Sequence, residues 1–201
     1  MPAGQITTTH VARALAAFER TLVSGPSPFD RFFAGQRDAL PEAARQGWVV
    51  FDRLARCTRC HVVSTHDGQP RLFTDDLFHS LAVGFGKVER KLPQLSARLV
   101  AVRRDGRPLG REVLRDAEFA ELGRFVVTLD PHDVGAFKTP GLRNVALTAP
   151  YFHDGGVATL DEAVTLMARY QLGRELSREE VQSMTAFLRT LTGERPLQAT
   201  P

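Results

Sequence analysis

The sequence has little cysteine, little lysine and no long apolar stretch. Two of its 201 residues are cysteine, too few for a disulfide framework. Its apolar runs, such as residues 48–51, are far shorter than the roughly 18 residues that span a bilayer. These shortages exclude a disulfide-stapled scaffold and a transmembrane helix. With 43% hydrophobic and 24% charged residues, the composition predicts a soluble globular protein large enough to bury a core.

Basic residues show no clustering. The 26 basic residues exceed the 23 acidic ones by three, and the adjacent basic pairs are Arg90-Lys91 and Arg103-Arg104. A surface that binds nucleic acid needs basic residues gathered along one element. We therefore expect no nucleic-acid partner.

The first third of the chain predicts two helices. The first covers residues 6–23, and on one of its faces lie Val11, Leu15, Phe18 and Leu22. Residues 24–28 are rich in Ser, Gly and Pro and are typical of a linker. A second helix is predicted to start at Pro41 and to run through Leu54, so that it leads directly to Cys57.

The middle of the chain is less regular. Residues 66–93 predict an ordered loop with short helical turns. For residues 94–113 two interpretations stay open, a helix or a hairpin that turns at Asp105-Gly106. Another short helix is predicted over residues 117–125, followed by turns over residues 130–141.

The C-terminal part predicts two capped helices. Thr159 with Glu162, and Ser177 with Glu180, have the spacing of capping boxes. The apolar stripe of the final helix consists of Val181, Met184, Phe187, Leu188 and Leu191. We expect this helix to end at Gly193 with a left-handed cap.

Residues 57–61 form a chemically informative motif. They read Cys57-Thr58-Arg59-Cys60-His61, a C-x-x-C-H run, which is the attachment signature of a c-type haem. One helical turn brings both thiols to the same side, where each adds to a porphyrin vinyl group, and the imidazole then faces the iron. A zinc site would need about four N or S ligands. A thioredoxin-like dithiol would need a strand before it and a βαβ frame. The motif predicts one covalent haem c per chain, with His61 as an axial ligand.

The second axial ligand is predicted to be a methionine. Of the three methionines, Met1 begins the chain and Met184 belongs to an apolar stripe, which leaves Met167. The competing interpretation places Met167 in the core beside Val164. Histidine could replace it, and His79 and His153 are the strongest alternatives among His10, His66, His79, His132 and His153. Arg143 is a candidate for binding a haem propionate, since guanidinium pairs well with carboxylate.

Gly47 and Phe51 precede the motif by ten and six residues. They resemble the N-terminal helix of class I cytochromes c, in which a glycine allows a close crossing by the C-terminal helix. Phe187 and Leu188 are the expected partners in that crossing. This similarity implies an all-α fold, a class I cytochrome c domain with a long inserted loop.

Further stretches carry a wider resemblance: residues 14–22, residues 27–31, Phe-Lys-Thr-Pro-Gly-Leu-Arg-Asn at 137–144 and Pro-Tyr-Phe-His at 150–153. Together with the C-x-x-C-H run they resemble the bacterial di-haem cytochrome c peroxidases and the MauG-like proteins. The resemblance covers nearly the whole chain but only the C-terminal part of the family's two-haem architecture.

The resemblance also implies how the chain is divided. In the family a first domain, with its own C-x-x-C-H, holds the peroxidatic haem, and we expect that domain to be mostly missing from these 201 residues. Residues 1–26 resemble its last helix, an orphan here, and residues 27–201 resemble the cytochrome c domain.

For the site, the resemblance implies that Met167 is the distal ligand. The methionine favours a peroxidase-type electron-transfer haem, because MauG-like members have tyrosine at this position. It also implies a calcium site at the backbone carbonyls of Thr148 and Pro150. Its affinity should be weak, because the companion ligand belongs to the missing domain.

The implied function is electron transfer for hydrogen peroxide reduction, from a small redox donor of cytochrome c or cupredoxin type to a peroxidatic haem. The alternative is a stand-alone mono-haem electron carrier without peroxidase turnover. The family implies a periplasmic protein. Because the first residues show no signal peptide, we expect a truncated or misassigned start. The oligomeric state stays open, with a homodimer among the alternatives.

Overall fold

The computed structural model describes residues 6–22, 24, 26–63, 72–81 and 83–194, and the protein is mostly helical, as the sequence predicted. The α-helices are α1 (Thr8–Glu19), α2 (Pro28–Phe33), α3 (Glu42–Val49), α4 (Leu92–Arg104), α5 (Leu109–Arg115), α6 (Ala117–Ala120), α7 (Phe125–Thr128), α8 (Leu160–Leu172) and α9 (Arg178–Arg189). Two of the residues considered above as ligands, Met1 and His66, lie outside the described part. Within the described part, every helix is too short or too polar to cross a bilayer.

Short elements connect these helices. A π-helical turn, Val50–Leu54, continues α3, and two strands, β1 (Phe78–Ser80) and β2 (Ala136–Lys138), pair antiparallel with His79 opposite Phe137. Short 3₁₀ turns cover Arg37–Ala39, Cys57–Arg59, Phe85–Lys87, Glu89–Lys91, Pro131–Asp133 and Val145–Leu147. The strands were not predicted, because each has only three residues and its partner is distant in sequence.

The main core is organised by the crossing of α3 and α9. A Cβ atom added to Gly47 would lie 1.8 Å from the backbone oxygen of Ser183, so the two backbones touch at a point that only glycine permits. Phe187 is fully buried there, and its ring centroid lies 5.0 Å from that of Phe51 and 5.4 Å from that of Trp48. The predicted contact of Gly47 and Phe51 with α9 is confirmed, with Ser183 as an unforeseen partner.

A second, smaller core lies among α4 to α7. Its buried members are Val88, Leu95, Leu99, Phe119, Leu122, Phe125 and Val126. Leu95, Leu99 and Val102 are buried at helical spacing, so α4 buries one face and the hairpin interpretation of residues 94–113 is wrong. Asp105-Gly106 instead makes the turn between α4 and α5.

The sequence predicts the N-terminal caps of α8 and α9 correctly, but not the C-terminal cap of α9. Both predicted capping boxes are present, at Thr159 for α8 and at Ser177 for α9. The expected left-handed cap at Gly193 is wrong, because α9 already ends at Arg189 and its cap residue Thr190 stays right-handed. A left-handed glycine cap closes α8 instead, at Gly173 with φ 63°.

Helix α1 forms as predicted, but it is not part of either core. Thr7 caps it in a reciprocal box with His10. Its predicted apolar face is exposed, with Val11 49%, Leu15 56% and Phe18 54% accessible. No residue of α1 is buried, whereas Phe29 of the neighbouring α2 is 1% exposed and packs in the main core.

Candidate functional site

A largely apolar cavity of about 510 Å³ opens beside the C-x-x-C-H turn. This volume lies within the range of about 300–1,000 Å³ that is usual for cofactor sites. Its walls come from the Cys57 turn, the two strands, residues 139–153 and α8. The predicted haem-binding residues Cys57, Cys60 and His61 all line it, together with Met167.

The two cysteines sit on one tight turn. Cys57–Arg59 form a 3₁₀ helix, entered through Arg56 in a left-handed conformation (φ 50°), and the Cys60 N–H bonds to the Cys57 carbonyl. Burial raises the pKa of Cys57 to about 12. Burial and the nearby charge of Asp75 raise the pKa of Cys60, with Arg59 opposing. Both thiols are therefore protonated at neutral pH and are free cysteines.

His61 is buried and is oriented by the main chain. Its Nδ1 lies 2.8 Å from the carbonyl oxygen of Phe73. Burial lowers the pKa of His61, although contacts such as that with Phe73 act to raise it, so the imidazole is neutral at pH 7. With the proton on Nδ1 donated to Phe73, Nε2 keeps its lone pair. This is the arrangement that second-shell carbonyls impose on metal-binding histidines.

One face of α8 forms another wall of the cavity. The residues that line it recur at spacings of three and four, and they are Leu160, Ala163, Val164, Met167, Ala168, Gln171 and Leu172. Met167 is half-buried, whereas Ala163, Val164 and Ala168 are buried. The structure therefore brings the methionine chosen by elimination to the same cavity as His61. Met184 of α9 also lines it and is 4% exposed.

The two alternative histidines also line the cavity, but each is paired with a carboxylate. His79 Nε2 lies 2.7 Å from Asp75 Oδ2, and the Leu77 N–H donates to Asp75 Oδ1 at 2.9 Å. Burial acts to raise the pKa of Asp75, but these hydrogen bonds hold it below its ordinary value. This pair could not be predicted from the sequence, because Asp75 and His79 lie in a segment whose pattern predicts only a loop.

His153 belongs to a second ionic network. Its ring stacks on Phe137 with centroids 3.8 Å apart, and its Nε2 lies 2.9 Å from Glu121 Oε2. Lys87 donates to both Glu121 and Asp154, and its hydrogen bond lowers the pKa of Asp154. The network joins the region of α4 to α7 to the Pro-Tyr-Phe-His segment.

Comparison with known proteins agrees with this geometry. Residues 2–38 match the family model described as di-haem cytochrome c peroxidase. Cytochrome c551 peroxidase of Nitrosomonas europaea is 34% identical over 192 residues, 96% of this chain and 47% of that protein. Cytochrome c peroxidase Ccp of Escherichia coli is 35% identical over 187 residues, 92% of this chain and 32% of that protein.

Over nearly its whole length the chain is similar to the di-haem cytochrome c peroxidases and MauG proteins. A solved MauG-like protein associated with microbial copper homeostasis superposes with a TM-score of 0.65 at 25% identity, over 98% of this chain and 60% of that one. The chain spans about half the length of the first of these peroxidases and a third of the second.

The donor set suits the haem of this peroxidase family. Two thiols on one turn, a neutral buried imidazole and an apolar cavity of about 510 Å³ meet the needs of a covalently held porphyrin. The absence of charged side chains from most of the lining suits a flat apolar ring system.

Arg143 has a structural partner, the carboxylate of Asp30. Its two terminal nitrogens donate to the two carboxylate oxygens of Asp30, at 2.6 and 2.7 Å, and its guanidinium lies 5.4 Å from the ring centre of Phe73. Burial acts to raise the pKa of Asp30, but hydrogen bonds from Arg143 and Ser27 hold it below its ordinary value. A propionate contact of Arg143 stays a prediction.

Thr148 and Pro150, predicted from the family to offer carbonyls to calcium, are exposed at the rim of the cavity. They follow the 3₁₀ turn Val145–Leu147 and precede Tyr151, whose N–H bonds to the Val157 carbonyl. Calcium binding at these carbonyls stays a prediction as well.

Proposed function

We propose that this chain is the electron-transfer haem domain of a cytochrome c peroxidase-like protein, with haem c bound to Cys57 and Cys60 through thioethers and with His61 and Met167 as axial ligands. One observation carries the proposal: the C-x-x-C-H turn, the imidazole of His61 and Met167 line one apolar cavity. A bound haem supplies one-electron exchange between ferrous and ferric iron.

The side chains around the cavity support this role in separate ways. Phe73 holds the His61 ring through its carbonyl, so Nε2 is positioned before the cofactor is attached. With haem bound, the apolar face of α8 would keep water away from it, and a thioether ligand from Met167 would raise the potential because it favours ferrous iron. His79 and His153 are weaker candidates, because carboxylates already engage their Nε2 atoms.

In this proposal residues 27–201 form a class I cytochrome c domain, and residues 1–26 are the end of a neighbouring haem domain. The inserted region corresponds to the part around α4 to α7, which has its own apolar core. The exposed stripe of α1 supports the division, since a helix of 12 residues with no buried member lacks tertiary support.

The proposed partners follow from the family. A small redox protein of cytochrome c or cupredoxin type delivers electrons, and a peroxidatic haem receives them for peroxide reduction. The periplasm is the proposed location, and weak calcium binding at Thr148 and Pro150 belongs to the same proposal. The rival function, a stand-alone mono-haem carrier, agrees with the single C-x-x-C-H run of the sequence.

The axial assignment is tested with Met167→Leu, which keeps the apolar volume and removes the sulfur. Ferric protein with a methionine ligand has a weak charge-transfer band at the red end of the visible spectrum. We expect the variant to lose this band and to have a lower midpoint potential, while Leu166→Met, on the same helix but outside the cavity lining, leaves both unchanged. A band that survives in Met167→Leu would sink the assignment.

Peroxide turnover separates the two functions. The chain alone should oxidise a reduced cytochrome donor slowly, because Met167 leaves no open site for peroxide. Met167→Gly should raise the rate. Adding a peroxidatic haem domain of the family should restore fast turnover with wild-type chain under the first function, and should change nothing under the carrier function. Rapid turnover by the unmodified chain alone would contradict both.

A further inference from the structure

A thiol, a carboxylate and an imidazole converge at the edge of the cavity. Ligand atoms of Cys60, Asp75 and His79 all lie within 4.8 Å of one another, and all three residues are partly buried. The axial roles assigned to His61 and Met167 use none of them. Their approach depends on tertiary structure, because Cys60 ends the 3₁₀ turn while Asp75 and His79 belong to the segment around β1.

The three side chains are held in place by the main chain. His79 is the central residue of β1 and pairs with Phe137 of β2. Asp75 accepts the Leu77 N–H at Oδ1, which leaves Oδ2 directed toward His79 at 2.7 Å. Cys60 is tied through its N–H to the Cys57 carbonyl. Orientation by such secondary contacts is typical of protein metal ligands.

The chemistry of the set points to one class of ion. Thiolate, imidazole and carboxylate are the three ligand types that zinc takes in proteins, and three protein ligands plus one water complete a tetrahedral site. Calcium and magnesium prefer all-oxygen shells, which this cluster cannot provide. The carboxylate and the thiol that are close together here are both anionic when a divalent ion binds, so the ion relieves their repulsion.

We propose that Cys60, Asp75 and His79 bind zinc in the chain before haem is attached. On binding, the Cys60 thiol releases its proton to solvent and forms the zinc–sulfur bond, and no oxidation or reduction occurs. The attachment of haem at Cys60, which rests on the proposed function, converts the same sulfur to a thioether and removes the thiolate. Zinc occupation and thioether formation at Cys60 therefore exclude each other.

The test uses the full 201-residue chain produced without haem, titrated with zinc against a chromophoric chelator, in parallel with its cobalt(II) form. We expect one zinc ion per chain and a thiolate-to-cobalt charge-transfer band. Cys60→Ser should abolish that band, and His79→Gln and Asp75→Asn should each weaken zinc binding by roughly tenfold or more.

Two matched controls are available. His132 Nδ1 lies 2.9 Å from Asp130, so these residues form an exposed pair of the same kind, and His132→Gln should leave the affinity unchanged. Cys57→Ser should keep the cobalt band. Equal affinity in wild type and His79→Gln, or a band that depends on Cys57 instead of Cys60, would overturn the proposal, as would the absence of binding.

A haem-loaded sample separates the zinc proposal from the haem proposal. Zinc binding by the haem-free chain together with its loss in the loaded chain supports both. If the haem-free chain binds zinc but the chain never acquires thioethers, the result supports the metal site and contradicts covalent haem attachment. Haem attachment without zinc binding in the haem-free chain contradicts the metal site alone.

Discussion

Helices α1 and α9 have similar sequence patterns but differ in how far they are buried. Each has 12 residues, each begins with a reciprocal capping box, and each carries an apolar stripe. Yet α9 buries Phe187 completely, whereas Phe18 of α1 is 54% exposed. Local sequence therefore determines whether a helix forms, while burial requires a complementary surface. For α9 that surface is α3, where Gly47 allows the two backbones to touch.

The largest difference between the helices should appear when a phenylalanine is truncated in each. Phe187→Ala should lower the free energy of unfolding of the haem-loaded protein by about 3–5 kcal/mol, because it opens a cavity among Phe29, Trp48 and Phe51. Phe18→Ala should change it by less than about 0.5 kcal/mol. Urea unfolding measures both losses, and similar values would contradict the difference in burial between α9 and α1.

The next effect concerns the contact that buries α9. Gly47→Ala places a Cβ 1.8 Å from the Ser183 oxygen, so the helices must separate. We expect a loss of about 3 kcal/mol in the same unfolding measurement, as for severe overpacking. Gly110 of α5 has open space around it, and Gly110→Ala should instead stabilise the protein by about 0.5–1 kcal/mol. An unchanged free energy of unfolding in Gly47→Ala would refute the close contact between α3 and α9.

Helix α2 also differs from α1, because a polar link to Arg143 anchors it, whereas α1 makes no such link within the described residues. Asp30 of α2 caps the helix with Ser27 and accepts two hydrogen bonds from Arg143. Asp30→Asn should cost about 2 kcal/mol at pH 7, since a charge-assisted bidentate pair is lost.

The pH dependence of that loss follows from the lowered pKa of Asp30. The carboxylate contributes stability above its unfolded pKa of about 3.9, and this contribution disappears as the pH falls through the lower folded value. Wild type and Asp30→Asn should therefore converge in urea unfolding as the pH falls from about 4. A gap that stays constant down to low pH would show that the charge is not involved.

The smallest effect compares the two capping boxes. Ser177→Ala removes the side-chain acceptor of the Glu180 N–H and should lower the free energy of unfolding by about 1 kcal/mol. Thr7→Ala removes the same bond from α1, to the His10 N–H, and should leave global unfolding unchanged because α1 packs on neither core. Hydrogen exchange of the α1 amides should still become faster. An equal loss in the free energy of unfolding in both variants would contradict the claim that α9 is coupled to the main core and α1 to neither core.

Much of this architecture could be predicted where the cause is local. The starts of α8 and α9 follow from Thr159 and Ser177, and the C-x-x-C-H turn is visible directly in the sequence. The end of α9 could not be predicted from Gly193, whose N–H instead bonds to the side chain of Asn144, a contact 49 residues distant.

The rest of the site depends on contacts between distant segments. The pairing of His79 with Phe137, the hydrogen bond from Arg143 to Asp30 and the link between His153 and Glu121 each join residues at least 32 apart. Residue types alone do not show that Arg143 pairs with Asp30 and not with another carboxylate. Met167 was found by elimination and by family resemblance, and its place on the cavity wall follows from the periodicity of α8.

The most direct test of the central claim is the intact mass of the protein after expression with a c-type haem maturation system and extraction in acid acetone. We predict that the chain keeps a mass increase of one haem, that Cys57→Ser and Cys60→Ser each leave a single thioether, and that the double variant releases its haem completely. Complete extraction of haem from the wild-type chain would contradict the covalent site at Cys57 and Cys60.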